Sequence, residues 1–148
     1  MRRTTFLIIF IAVLSTRLMA APSLVRAQGV PAFDAAGTDA KQVTSFLKTL
    51  QGAVAIDNRL KVASLFDFPM TVSINGEATT LRNESDFQAR YSRIFDAGLK
   101  KAIASAKVET LVADKDGISF DGGRVAFKPL AAHKNALRVV AISEPATK

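Results

Sequence analysis

The apolar pattern of the chain changes its period at Pro69, and this change limits the possible folds more than any other feature. Before Pro69, four apolar residues recur at the i, i+3, i+4, i+7 spacing of one helix face: Val43, Phe46, Leu47 and Leu50. After Pro69, residues 70–74 alternate between apolar and polar side chains, and Asn75-Gly76 follows. That dipeptide suits the positive backbone dihedrals of a tight hairpin turn. The sequence therefore predicts helices followed by an antiparallel hairpin.

The other elements are predicted from capping residues and turn signals. Asp39 and Asn83 are suitable N-caps for a first and a third helix, and Asp96 for a continuation of the third. A second helix is predicted over residues 57–66 and a return strand over 78–82. Four further strands are predicted, over residues 108–113, 118–120, 124–127 and 137–143. Because local hairpins join most of these strands, we expect an α+β fold with a mixed or antiparallel sheet and helices on one face.

Residues 1–27 have the pattern of a secretory signal peptide. Met1-Arg2-Arg3 is basic, residues 6–14 are all apolar, and small residues follow up to Ala20 and Ala27. The apolar run is nine residues long, whereas a helix needs roughly 20 to span a bilayer. We predict cleavage after Ala20 or Ala27, giving a periplasmic or secreted protein without a stable membrane anchor.

The charge of the chain is ordinary once the predicted signal peptide is removed. The formal net charge of +7 includes four arginines and no acid within residues 1–27, so 16 basic and 13 acidic residues remain, a net charge of +3. The remaining bases are scattered, which argues against a nucleic-acid partner. There is no cysteine, so disulfides and lipid-modified cysteine are excluded. We expect a flexible lead over residues 28–38, a single domain over 39–143 and a tail over 144–148.

The predicted layout resembles the nuclear transport factor 2-like superfamily, the cystatin-like α+β fold shared with ketosteroid isomerase. The resemblance rests on the order of the elements, on Phe68-Pro69-Met70 before the first strand, and on residues 83–95 before the long sheet. The chain also resembles small exported bacterial members whose role is unassigned. The resemblance implies a cone-shaped domain, in which a curved sheet wraps around the N-terminal helices and a central helix and leaves a cavity. Members include isomerases, dehydratases, ligand binders and interaction modules, and many pair through their sheets.

The predicted cavity is lined by apolar side chains. Eight residues are expected to face it: Val72, Ile74, Phe87, Tyr91, Val112, Phe120, Phe127 and Val139. The opposite alternation places Leu111, Val140 and Ile142 on an outer sheet face that would suit a homodimer. The leading hypothesis is an exported, non-enzymatic domain without a cofactor that binds a small apolar ligand or a protein partner in the cell envelope.

Two residues are candidates for catalysis. Asp67 lies between two phenylalanines, where burial would raise its pKa, and Tyr91 could offer a hydroxyl to a ligand carbonyl. They support an alternative hypothesis, a small isomerase, dehydratase or hydrolase; a purely structural homodimer is another. His133, the only histidine, is predicted in a polar loop over residues 129–135 with no partner nearby in sequence. No metal site is predicted, and Asp114 and Asp116 are interpreted as a polar hairpin turn.

Overall fold

The computed structural model describes residues 31–74 and 76–143 and has helices gathered on one face of a six-stranded sheet. The predicted signal peptide, residues 28–30 and the tail at residues 144–148 lie outside the described residues. Phe33 is buried in the hydrophobic core, and a short 3-10 helix follows it at Asp34–Ala36. The packed region therefore begins before the boundary predicted at residue 39, because an aromatic side chain in the lead finds a place in the core.

The described part of the chain contains four α-helices: α1 (Ala40–Ala55), α2 (Arg59–Ala63), α3 (Glu84–Ile94) and α4 (Ala97–Ser105). It contains six strands: β1 (Met70–Ile74), β2 (Glu77–Leu81), β3 (Val112–Asp114), β4 (Gly117–Phe120), β5 (Val125–Leu130) and β6 (Ala136–Ile142). Two more 3-10 helices lie at Val108–Thr110 and Ala131–His133. Within these residues, no helix is long and apolar enough to cross a bilayer.

The predicted helix caps are present. The Asp39 carboxylate accepts a hydrogen bond of 2.8 Å from the N–H of Gln42 at the start of α1. The side chains of Asn83 and Asp96 cap α3 and α4 in the same way, by accepting hydrogen bonds from the N–H groups of Asp86 and Leu99. These bonds satisfy N–H groups that have no partner inside the helix. The second helix covers residues 59–63 instead of the predicted 57–66. It begins after Asn58, whose side chain caps it, and it ends at Ala63, where the backbone turns towards β6.

The sheet has the order β2-β1-β6-β5-β4-β3. All neighbouring strands are antiparallel except β1 and β6, which run parallel with Val72 opposite Ile142. The predicted α+β class with a mixed sheet is therefore confirmed, and the sheet does not close into a barrel. The strand predicted over residues 108–113 begins only at Val112, because residues 108–110 form a 3-10 helix.

A β-bulge changes which side chains of β6 face the core. Ala126 pairs with Ala141 and Phe127 pairs with Val139, so Val140 is an extra residue in the ladder. Ile142 consequently faces the core like Val139 instead of the outer face. Leu111 is buried as well, so the apolar outer face predicted from Leu111, Val140 and Ile142 is wrong. The homodimer stays a prediction, but the outer apolar face no longer supports it.

Candidate functional site

Six of the eight residues predicted to line a cavity are packed in the hydrophobic core. Phe87 is fully buried and its ring contacts the rings of Phe66, Phe68, Tyr91 and Phe95. The other five core members are Val72, Tyr91, Phe120, Phe127 and Val139. Ile74 is partly buried against the same cluster.

Val112 departs furthest from the prediction, because 62% of its surface is exposed. It is the first residue of a three-residue strand at the edge of the sheet, and the buried residue there is its neighbour Leu111. None of the eight predicted residues lines the groove between α1 and β6 or the two smaller pockets on the surface. The six core members therefore contribute to packing, whereas Val112 is largely exposed to solvent.

Tyr91 is buried beneath two cationic side chains. The Arg59 guanidinium lies 5.0 Å from the centre of its ring, and the Lys100 ammonium lies 5.7 Å from it. Both cations also pair with Asp57, at 3.6 Å for Arg59 and 2.9 Å for Lys100. The Tyr91 hydroxyl has no hydrogen-bond partner within 3.5 Å, although the Asp57 carboxylate is close enough to affect its ionisation. Tyr91 thus connects the α1–α2 turn to α3 and α4.

The electrostatics around Tyr91 favour a neutral phenol. Burial, and after it the negative charge of Asp57, raises the pKa of Tyr91 to about 12. The hydrogen bond from Lys100 lowers the pKa of Asp57. A buried phenol with this pKa is a poor proton acceptor at neutral pH. Tyr91 packs against Arg59 and Lys100, whereas Asp67 contacts His133, so no hydrogen bond joins the two predicted catalytic residues.

Asp67 instead contacts the histidine that lacked a partner in the sequence. The distance from His133 Nε2 to Asp67 Oδ1 is 3.0 Å, and both side chains are partly exposed. Asp67 lies in the turn before β1, where its backbone N–H donates a hydrogen bond to the Val139 carbonyl. His133 is the last residue of the 3-10 helix before β6. A carboxylate in this position orients the imidazole for proton transfer. An activated nucleophile would be a hydroxyl group that donates a hydrogen bond to His133. No hydroxyl group of the described residues forms such a bond.

An open groove of about 700 Å³ lies between the N-terminal half of α1 and the start of β6. We call it the α1–β6 groove. Its apolar lining residues are Phe46, Leu65, Ala136 and Leu137. Its polar and charged lining residues are Asp39, Lys41, Gln42, Ser45, Thr49, Lys134, Asn135 and Arg138. Two other surface pockets have volumes of about 430 and 350 Å³.

Local backbone geometry forms the β6 wall of the groove. Lys134 and Asn135 have φ values of +54° and +59°, which turns the chain sharply from the 3-10 helix into β6. The N–H and C=O of Val139 bond to Leu65 and Asp67, away from β5. Along an antiparallel strand, the N–H and C=O groups of successive residues point to opposite sides, so those of every second residue point to the same side. The N–H and C=O of Leu137, like those of Val139, therefore point away from β5. No described strand pairs with β6 opposite Leu137, so a sheet edge borders the groove.

The groove has an excess of positive charge. Lys41, Lys134 and Arg138 contribute three cations, and Asp39 contributes one carboxylate. Asp39 is occupied in capping α1, and no carboxylate of the described residues lies within 4.0 Å of any of the three cations. The Arg138 guanidinium is instead anchored by donating to the Ser64 carbonyl at 2.7 Å. The groove therefore combines an apolar floor with a cationic rim.

The described residues contain no group of three or more His, Asp or Glu side chains arranged to hold a metal ion. Asp114 Oδ1 accepts the N–H groups of Asp116 and Gly117, which is the polar hairpin turn that the sequence indicated.

The α1–β6 groove was missed by sequence reasoning because its walls are about 90 residues apart in the chain. Ser45 and Thr49 belong to the polar face of an amphipathic helix, which is the usual appearance of a solvated surface. Lys134-Asn135 carried a turn signal, but nothing in the sequence linked it to α1. No family model, curated protein or solved structure matches this chain, so the resemblance to the nuclear transport factor 2-like superfamily stays a prediction.

Proposed function

We propose that this protein is an exported, non-enzymatic domain that binds a small amphipathic ligand in the α1–β6 groove. Export rests on the basic, apolar and small-residue pattern of residues 1–27. The choice of ligand site rests on one observation above all. The groove is the place where the edge of the apolar core, at Phe46, Leu65 and Leu137, meets polar and charged side chains of both walls.

The size and lining of the groove support this function. Ligand sites in proteins commonly have volumes of about 300–1,000 Å³ and combine apolar surface with a few polar groups. The groove, at about 700 Å³, falls in that range. Its floor is the small surface that Phe46, Leu65 and Leu137 leave uncovered, and packing in the core holds these three side chains in place. A rigid, preformed floor lowers the conformational cost of binding.

Filling the groove should weaken the binding of a small amphipathic probe. The probe is 1-anilinonaphthalene-8-sulfonate, and the variant is Ser45→Trp, which adds a large ring from the α1 wall without touching the core. We expect the dissociation constant, measured by fluorescence titration, to rise about tenfold or more, equivalent to a loss of about 1.4 kcal/mol.

The matched control is Ala89→Trp, which adds the same ring at an exposed position of α3. It should bind the probe like the unmodified protein, and urea unfolding should show that both variants are folded. Equal binding by Ser45→Trp and the unmodified protein would refute the proposed site.

A second candidate function is proton-transfer catalysis by the Asp67–His133 pair. The observation that favours it is the 3.0 Å contact between the two side chains. The pair is next to the groove in sequence, since Lys134 follows His133 and Leu65 precedes Asp67 by two residues. This arrangement suits an isomerase or hydrolase that uses His133 as its base. Among the described residues, the side chain that forms a hydrogen bond with His133 is a carboxylate and not a hydroxyl.

Replacement of His133 distinguishes the two functions. Under the leading proposal, His133→Asn leaves the affinity for the sulfonate probe within about twofold. It also leaves any slow hydrolysis of p-nitrophenyl butyrate unchanged. Under the catalytic alternative, the same variant lowers that hydrolysis rate by about a hundredfold or more, the usual contribution of a general base. Asp67→Asn should then change the pH profile of the rate, which a structural role would leave alone.

A further inference from the structure

We infer that the ligand of the α1–β6 groove is an amphipathic anion, with a single carboxylate, sulfonate or similar acidic group joined to an apolar body. This inference rests on the proposed function and adds the chemical class of the ligand. Its basis is the separation of apolar floor and cationic rim within one groove. A neutral ligand would use only the floor, and a fully hydrophilic anion would use only the rim.

The cations of the rim come from three separate elements and converge on one space. Lys41 lies in the first turn of α1, Lys134 in the turn after the 3-10 helix, and Arg138 in β6. Among the described lysines, only Lys100 and Lys115 form an ion pair with a carboxylate. Lys41, Lys134 and Arg138 have no such partner among the described residues, so their charges are available to a ligand.

Two backbone features add to the preference for an anion. The N-terminus of the 16-residue α1 opens on the same groove, and its dipole favours negative charge there. The N–H of Leu137 points to the side of β6 that no described strand covers. Asp39 opposes these terms with one negative charge, but its carboxylate accepts a hydrogen bond from the helix N–H of Gln42.

The apolar floor argues against a simple inorganic anion as ligand. Phe46 is in ring contact with Phe127 beneath it at 4.8 Å, which fixes the floor to the core of the sheet. Covering this floor with an apolar body removes it from water, which stabilises the complex in proportion to the area covered. An inorganic phosphate could not provide this term.

The experiment compares two probes that share one ring system. 1-Anilinonaphthalene-8-sulfonate carries the sulfonate, and N-phenyl-1-naphthylamine lacks it. We expect the sulfonate probe to bind about tenfold more tightly than the neutral probe to the unmodified protein, with both affinities lost in Ser45→Trp. The double variant Lys41→Gln/Lys134→Gln should weaken the sulfonate probe about tenfold and leave the neutral probe within about twofold. Raising the ionic strength from about 0.05 to 0.5 M should weaken only the sulfonate probe.

The control for net charge is Arg93→Gln/Lys107→Gln, which removes two exposed cations outside the groove. It should change neither affinity by more than about twofold. Equal affinities for the two probes, with Ser45→Trp still blocking both, would overturn the anion inference and leave the proposed site standing. Sulfonate binding that Ser45→Trp does not affect would overturn the proposed site itself.

Discussion

Phe87→Ala should destabilise the protein by about 3–5 kcal/mol, the cost of removing a fully buried aromatic ring and leaving a cavity. Phe87 has no exposed surface, and its ring contacts four other rings around it. The free energy of unfolding, measured by urea denaturation, checks this value. The result also decides between core and ligand cavity, because a side chain that lines an open cavity loses little when it is truncated.

The control comes from the same predicted set of eight residues. Val112→Ala shortens an apolar side chain that is 62% exposed, so its effect should stay within about 0.5 kcal/mol. If Phe87→Ala also cost less than about 1 kcal/mol, the interior would not be packed as described, and the sequence-based prediction of an inner cavity would regain its basis.

Asp96→Ala should cost about 2–3 kcal/mol, because one carboxylate performs two tasks. It accepts the N–H of Leu99 at the start of α4, and a lost N-cap costs about 1 kcal/mol. It also accepts both hydrogen bonds from the Arg124 guanidinium, at 3.2 and 3.3 Å. Arg124 is buried and its Nε is already unpaired. Loss of Asp96 would leave Asp121, at 3.8 Å, as its one remaining charged contact among the described residues, and a poorly satisfied buried cation is costly.

Two further variants separate the tasks of Asp96. Asp96→Ser keeps a capping oxygen and removes the charge, so it should recover about 1 kcal/mol relative to Asp96→Ala. Asp39→Ala removes only the cap of α1 and should cost about 1 kcal/mol. Equal losses of stability in Asp96→Ala and Asp39→Ala, measured by urea unfolding, would show that the ion pair with Arg124 contributes nothing.

The local elements of the fold could be predicted from the sequence because their signals are short-range. Asp39, Asn83 and Asp96 each sit directly before an apolar helical stripe, and each caps the predicted helix. The alternation of apolar and polar residues in β1 and the Asp116-Gly117 turn signal also predicted the local structure that is observed there. Such signals depend on neighbouring residues and hold whatever the tertiary structure.

Two features could not be predicted: which face of the sheet some side chains occupy, and where the candidate site lies. Both depend on contacts between distant segments of the chain. The bulge at Val140 reverses the alternation of β6, and no residue type at that position announces it. The partner of His133 is Asp67, 66 positions earlier in the chain. Likewise, Lys41 and Lys134 reach one groove because the sheet brings β6 beneath α1.

The most direct test of the ligand site is an NMR titration of the ¹⁵N-labelled protein with 1-anilinonaphthalene-8-sulfonate. The proposed site predicts that the largest amide shift changes fall within residues 41–49 and 134–138, the two walls of the α1–β6 groove. Shift changes concentrated instead at residues 87–95 and 118–127, with both groove walls unchanged, would contradict it and place the ligand in the interior.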